Sequence, residues 1–106
     1  MTVHDARIAL DAVCEAGASH LKVEFEAEGA SSAEANLLAS LAEQAGLRLV
    51  VKIGGCEAIR DIRESLQLGA QSIVAPMIES PFAVQKFVRA VTNEADAVGM
   101  QIPKLA

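Results

Sequence analysis

Gln44-Ala45-Gly46-Leu47-Arg48-Leu49-Val50-Val51-Lys52-Ile53-Gly54-Gly55 is the stretch from which the rest of the chain can be read. A helical stripe of Leu37, Leu38, Leu41 and Ala45 runs into Gly46, and an apolar run follows at once. Glycine takes the left-handed conformation without a Cβ penalty, so Gly46 predicts a helix C-cap and the residues after it a strand. The order recurs. Glu15-Ala16-Gly17 precedes His20 to Glu26, Gln67-Leu68-Gly69 precedes Ala70 to Pro76, and Ala97-Val98-Gly99 precedes Met100-Gln101-Ile102, where a fourth strand is expected to start.

The helices carry signals of their own. Ser31-Ser32-Ala33-Glu34 reads as a capping box, and Ser80-Pro81 sets a capping hydroxyl before a proline at the first helical position. Apolar stripes at helical spacing are Ile8, Ala9, Ala12, Val13 and Ala16; Ile59, Ile62 and Leu66; and Val84, Phe87, Val88 and Val91. The resulting alternation of helix and strand predicts an α/β chain with a parallel sheet and right-handed crossovers.

In the first strand Lys22, Glu24 and Glu26 alternate with Leu21, Val23 and Phe25, which makes one face charged. A doubly wound sheet is apolar on both faces of its central strands, whereas a barrel enzyme points polar side chains inward near the C-terminal strand ends. The bland alternative is an edge strand with its charges in solvent. Pro76 within Ser72 to Ser80 predicts a bulge or a strand end. The expected fold is a run of parallel βα units of a TIM-type barrel, in a single partial domain over residues 1–106. With about three to four strands it is incomplete, and is finished by dimerisation or left as an open sheet. A closed barrel of this type takes about 250 residues.

The 106 residues are 52% hydrophobic and carry a net charge of −5, with no Trp or Tyr and three Phe. That balance repels a phosphate backbone and offers few stacking platforms, which argues against nucleic acid. No apolar run reaches the roughly 20 residues of a membrane span, and a cytoplasmic protein without membrane contact is expected. Cys14 and Cys56 have no metal-type spacing and read as free thiols.

Candidate site residues follow from the strand ends. Lys22 and Glu24 come from the first strand and Lys52 from the second, and Glu79 follows the third. Gly54 and Gly55 form a turn whose backbone N–H groups can approach a carboxylate or phosphate at a helix N-terminus. Glu79 is a hard oxygen donor for Mg²⁺ or Mn²⁺, though one carboxylate is too few for a site; alternatively it is a carboxylate favourably placed before the next helix.

Leu21 to Gly29, Val51 to Ile62 and, most specifically, Leu68 to Ser80 carry a resemblance to the HpcH/HpaI aldolase/citrate lyase family. The resemblance spans about Gly17 to Val91 and implies a phosphoenolpyruvate/pyruvate-type TIM barrel. It also implies a metal-dependent carbon–carbon lyase acting through an enolate on a 2-oxo acid or acyl carboxylate, with a small-molecule carboxylate or an acyl-CoA as the substrate partner. Mg²⁺ or Mn²⁺ would be the cofactor, and a homo-oligomer is expected. Lys52 stands where many members have the arginine that contacts the substrate. Glu79 resembles the metal-binding glutamate locally, but the order of units places it one strand early, so the metal glutamate and its aspartate partner are expected beyond Ala106. The alternative is a truncated, non-catalytic half-barrel module that self-associates.

Overall fold

A computed structural model describes residues 3–24 and 32–106. Four helices alternate with four strands: α1 Val3–Glu15, β1 His20–Glu24, α2 Ser32–Ala45, β2 Arg48–Lys52, α3 Ile59–Gln67, β3 Ser72–Val74, α4 Pro81–Ala97 and β4 Lys104–Leu105. Among the described residues the strands form one parallel sheet in the order β1-β2-β3-β4, open at both edges and not closed into a barrel. The sequence expectation of a partial α/β fold with a parallel sheet therefore holds. Ser31 of the expected capping box, together with Phe25 and Glu26, lies outside the described residues.

Each expected glycine cap is present, with φ of 94° at Gly17, 76° at Gly46, 79° at Gly69 and 68° at Gly99. Three of the ends share one hydrogen-bond pattern, in which the N–H of the residue after the glycine returns to a carbonyl five residues back. The bonds run from Leu47 to Ala42, Ala70 to Ser65 and Met100 to Ala95. This arrangement satisfies carbonyls that the helix itself leaves unpaired. At the other end of α4 the Ser80 hydroxyl accepts from the Ala83 N–H at 3.1 Å, with Pro81 opening the helix.

Two strands are shorter or later than their sequence suggests. β3 ends at Val74, two residues before Pro76, which brings no N–H to a ladder. The fourth strand starts at Lys104 rather than at Met100, because the Met100 N–H is taken by the cap of α4 and Pro103 has none to give. Pairing to β3 begins with the Lys104 N–H on the Gln71 carbonyl.

Alternate residues of a strand face opposite sides of the sheet. Val23, Leu49, Val51 and Ile73 are buried against Ala35, Ile62, Leu66, Phe87 and Val91 of α2, α3 and α4. Leu21 packs with Leu10 and Cys14 of α1 and Leu41 of α2. All four helices thus lie on one face. The opposite face carries His20, Lys22 and Glu24, then Arg48, Val50 and Lys52, then Ser72 and Val74, then Lys104, aligned by the parallel register. Among the described residues no element covers it.

Expected stripes on three helices are corrected, the one on α3 because Ile59 is exposed while Ile62 and Leu66 are buried. On α1 the buried residue is Leu10, with Cys14 half-buried beside it, while Ile8, Ala9, Ala12 and Ala16 are exposed. Among the described elements α1 packs chiefly on α2, which contacts the side holding Leu10 and Cys14. On α4 the expected stripe splits: Phe87 and Val91 are buried, whereas Val84 and Val88 are exposed.

Candidate functional site

The uncovered face gathers three of the expected residues near the C-terminal ends of β1 and β2. Lys22 and Glu24 lie two positions apart on β1, so their side chains share a face, and Lys22 Nζ meets Glu24 Oε1 at 2.6 Å. Glu24 and Lys52 are register partners on adjacent strands. The Glu24 side chain is 12% exposed and that of Lys22 51%. The carboxylate is thus held in place, while one of its cations reaches into solvent.

The Lys22 hydrogen bond holds the Glu24 carboxyl below its ordinary value of 4.5; burial pushes the other way, and the charges of Lys22 and Lys52 add to the lowering. A depressed carboxyl favours the charged form in the folded chain. Its stabilising contribution is complete above the unfolded-chain value and is lost as pH falls through the lower, folded value. Urea midpoints for the natural chain and Glu24→Gln should therefore converge as pH drops below 4.5 and separate again above it. A gap that stays constant with pH would deny Glu24 this role.

The Gly54-Gly55 turn follows β2 at the same end of the sheet, and one of its two amides, that of Gly54, is already engaged within the chain. The Gly54 N–H donates to Asp61 Oδ2 of α3 at 2.8 Å. The chain supplies its own carboxylate, so the turn is tied down from within. The Ala58 N–H donates to the Gly55 carbonyl, which tightens the approach to α3, and Gly55 needs no left-handed backbone. Asp61 escaped the sequence reading. The signal available was an acidic residue in the first turn of a helix entered through Gly-Gly, where a side chain can reach back to a loose N–H. Asp61→Ala should cost about 1–2 kcal/mol of stability by stripping the Gly54 N–H of its acceptor, while Asp61→Asn keeps an acceptor oxygen and most of that stability. Denaturant unfolding of the two variants checks this.

Glu79 is exposed, on the loop between β3 and α4 and one residue ahead of the Ser80 cap. Met77 on the same loop holds a left-handed backbone with φ of 48° and is 86% exposed. Among the described residues there is no group of three or more His, Cys, Asp or Glu side chains suited to a metal ion. Glu24, bonded to an ammonium and beside another, has the wrong surroundings for a hard cation. The described residues thus do not fit a Mg²⁺ or Mn²⁺ site. A groove of about 440 Å³, lined in part by Gly46, Arg48, Gly69 and Gln71, opens at the opposite ends of β2 and β3 and is separate from the Lys52 cluster. Cys14 and Cys56 are free thiols, and no described helix is long and apolar enough to cross a membrane.

Fold and face together define an open array of αβ units whose sheet has one charged face that no described element covers. No family model and no curated protein matches the chain. Among solved structures it is similar to the crystal structure of an uncharacterized protein, with a TM-score of 0.54 at 17% identity. The match covers 85% of this chain and 24% of that one, so the chain spans about a quarter of that protein's length. A likeness at this identity speaks for the fold alone.

Proposed function

We propose that the chain is part of a TIM-type barrel of the HpcH/HpaI aldolase/citrate lyase kind, a carbon–carbon lyase that handles a 2-oxo acid or acyl carboxylate through an enolate. The observation that carries this reading is the placing of Lys22, Glu24 and Lys52 together on an uncovered sheet face at the C-terminal strand ends. Sequential strand order with every helix on one face supports the barrel.

In this reading Lys52 holds the substrate carboxylate and the developing enolate oxygen by its charge. Glu24 remains ionised and sets the position of Lys22 while adding a negative wall beside Lys52. An ammonium orients less strictly than the guanidinium fork of family members that carry arginine, so substrate orientation depends more on the surrounding face. A divalent cation would stabilise enolate charge in such lyases, but the described residues offer no ligand set for it, and Glu79 stands exposed on its loop.

The test is binding of oxalate or pyruvate, with and without Mg²⁺, alongside cleavage of 2-oxo-acid aldols and acyl-CoA substrates. A well-folded 106-residue chain that neither binds nor turns over would remove this reading for it. A second reading is a non-catalytic half-barrel that self-associates, its sheet edges at β1 and β4 being unpaired among the described residues.

A further inference from the structure

Lys52 has a paired strand on both sides, so its surroundings are set by β1 and β3 rather than by a sheet edge. In register it stands between Glu24 and Val74, with Val50 two positions back on the same face. The residue is half-buried. Among the described residues its ammonium makes no hydrogen bond or close ion pair, whereas Lys22 is taken by Glu24 at 2.6 Å. That bond also keeps the Glu24 carboxylate ionised. Lys52 is therefore an amine at a strand end with a proton acceptor beside it, the pairing that lets a lysine attack a carbonyl carbon. Cleavage next to a carbonyl needs an acceptor for the electron pair of the broken bond. The described face offers an amine for this rather than a set of metal ligands.

We propose that Lys52 captures 2-oxo acids covalently, its amine condensing with the C2 carbonyl to a protonated imine while Glu24 carries the proton. The inference rests on the lyase reading of this face, and it names which of the two substrate classes is held by a bond. An acyl carboxylate without a ketone is held by charge alone.

The step balances without an outside reagent. Glu24 takes one proton from the Lys52 ammonium, the freed nitrogen adds to C2, and a nitrogen proton passes to the carbonyl oxygen. The carbon–oxygen bond of this carbinolamine then breaks, and the hydroxyl leaves as water with the proton that Glu24 returns. Ammonium and ketone thus become iminium and water with no change of charge. The substrate carboxylate, next to C2, falls to the Lys22 ammonium on the neighbouring strand. In a 4-hydroxy-2-oxo acid the electron pair of the C3–C4 bond flows to the iminium and leaves an enamine. Glu24 accepts the proton of the C4 hydroxyl as the aldehyde departs. Return of that proton to C3 and addition of water release the shortened 2-oxo acid and restore the lysine.

Sodium cyanoborohydride reduces an imine to a stable amine and so records where it formed. The 106-residue chain incubated with pyruvate and this reagent should gain the mass of a single reduced adduct, placed on Lys52 by peptide mapping. The mapping uses the natural chain and depends on no variant folding. Lys52→Arg keeps the charge but has no amine to condense, so it should give no adduct there while still binding oxalate. Glu24→Gln should slow trapping on the order of 100-fold, with the adduct still on Lys52. Adduct spread over the exposed Lys22 and Lys104 as readily as on Lys52 would overturn the proposal, as would trapping in Glu24→Gln at the natural rate. No adduct in a chain that binds oxalate overturns the imine and leaves the charge-based lyase reading standing. Neither adduct nor oxalate binding removes both.

Discussion

Phe87→Ala should cost about 3–5 kcal/mol of stability. Phe87 is 2% exposed and lies on the helix face that meets the sheet, in one cluster with Ile62 of α3 and Ile73 of β3. Truncation removes the transfer free energy of the ring and leaves a cavity between layers that relax only in part. A domain of this size has about 5–15 kcal/mol of stability in all, so the variant approaches the unfolding threshold at ambient temperature. Phe82 provides the contrast on the same helix: 64% exposed, its ring lies under the Lys86 ammonium at 4.5 Å. Phe82→Ala should cost about 0.5 kcal/mol, the range of a surface substitution or one exposed cation–π contact. Urea unfolding of both variants checks the ranking, and comparable losses would mean that α4 does not pack on the sheet by the Phe87 side.

Lys52→Ala should lower turnover by about 10²–10³-fold if the uncovered face is a lyase site, the range found when one donor to a developing oxyanion is removed. The loss should fall on kcat and on oxalate affinity together, since the same ammonium would hold the carboxylate in the ground state and the enolate oxygen in the transition state. Lys52→Arg keeps the charge and supplies a bidentate fork, so it should retain binding and change the preference among substrates. Lys52→Ala also removes one of the charges that lower the Glu24 carboxyl. The acid limb of any pH profile governed by Glu24 should therefore move to higher pH in that variant. Turnover that survives Lys52→Ala intact, in a chain of unchanged stability, would place the chemistry elsewhere.

Much of the architecture is legible in the residues, because it is written in local rules. Gly17, Gly46, Gly69 and Gly99 mark helix ends whatever the rest of the chain does, since each holds a left-handed backbone that a Cβ would penalise. Ser80-Pro81 is local in the same way. The sharing of one face by Lys22, Glu24 and Lys52 was also readable, once β1 and β2 were taken as parallel with aligned ends. What escaped was relational. The stripe of α1 was assigned to Ile8 and Ala12 because periodicity counts apolar residues, and α1 has apolar residues on more than one side. Which side meets α2 is decided by Leu41 and Ala45 on another element. The Gly54 amide read as open because its acceptor, Asp61, arrives only after the turn has folded α3 back against β2. The start of β4 was placed too early because the cap of α4 competes for the Met100 N–H.

The strand order β1-β2-β3-β4 means that every strand pairs with one separated from it by a single helix. No pairing waits for a distant part of the polypeptide, so loop-closure entropy stays modest at each step and contact order is low for a parallel sheet. Assembly can then proceed vectorially during synthesis, each emerging helix and strand docking on the unit made just before it. A ribosome-stalled chain ending after β2 should already protect the amides of β1 from exchange.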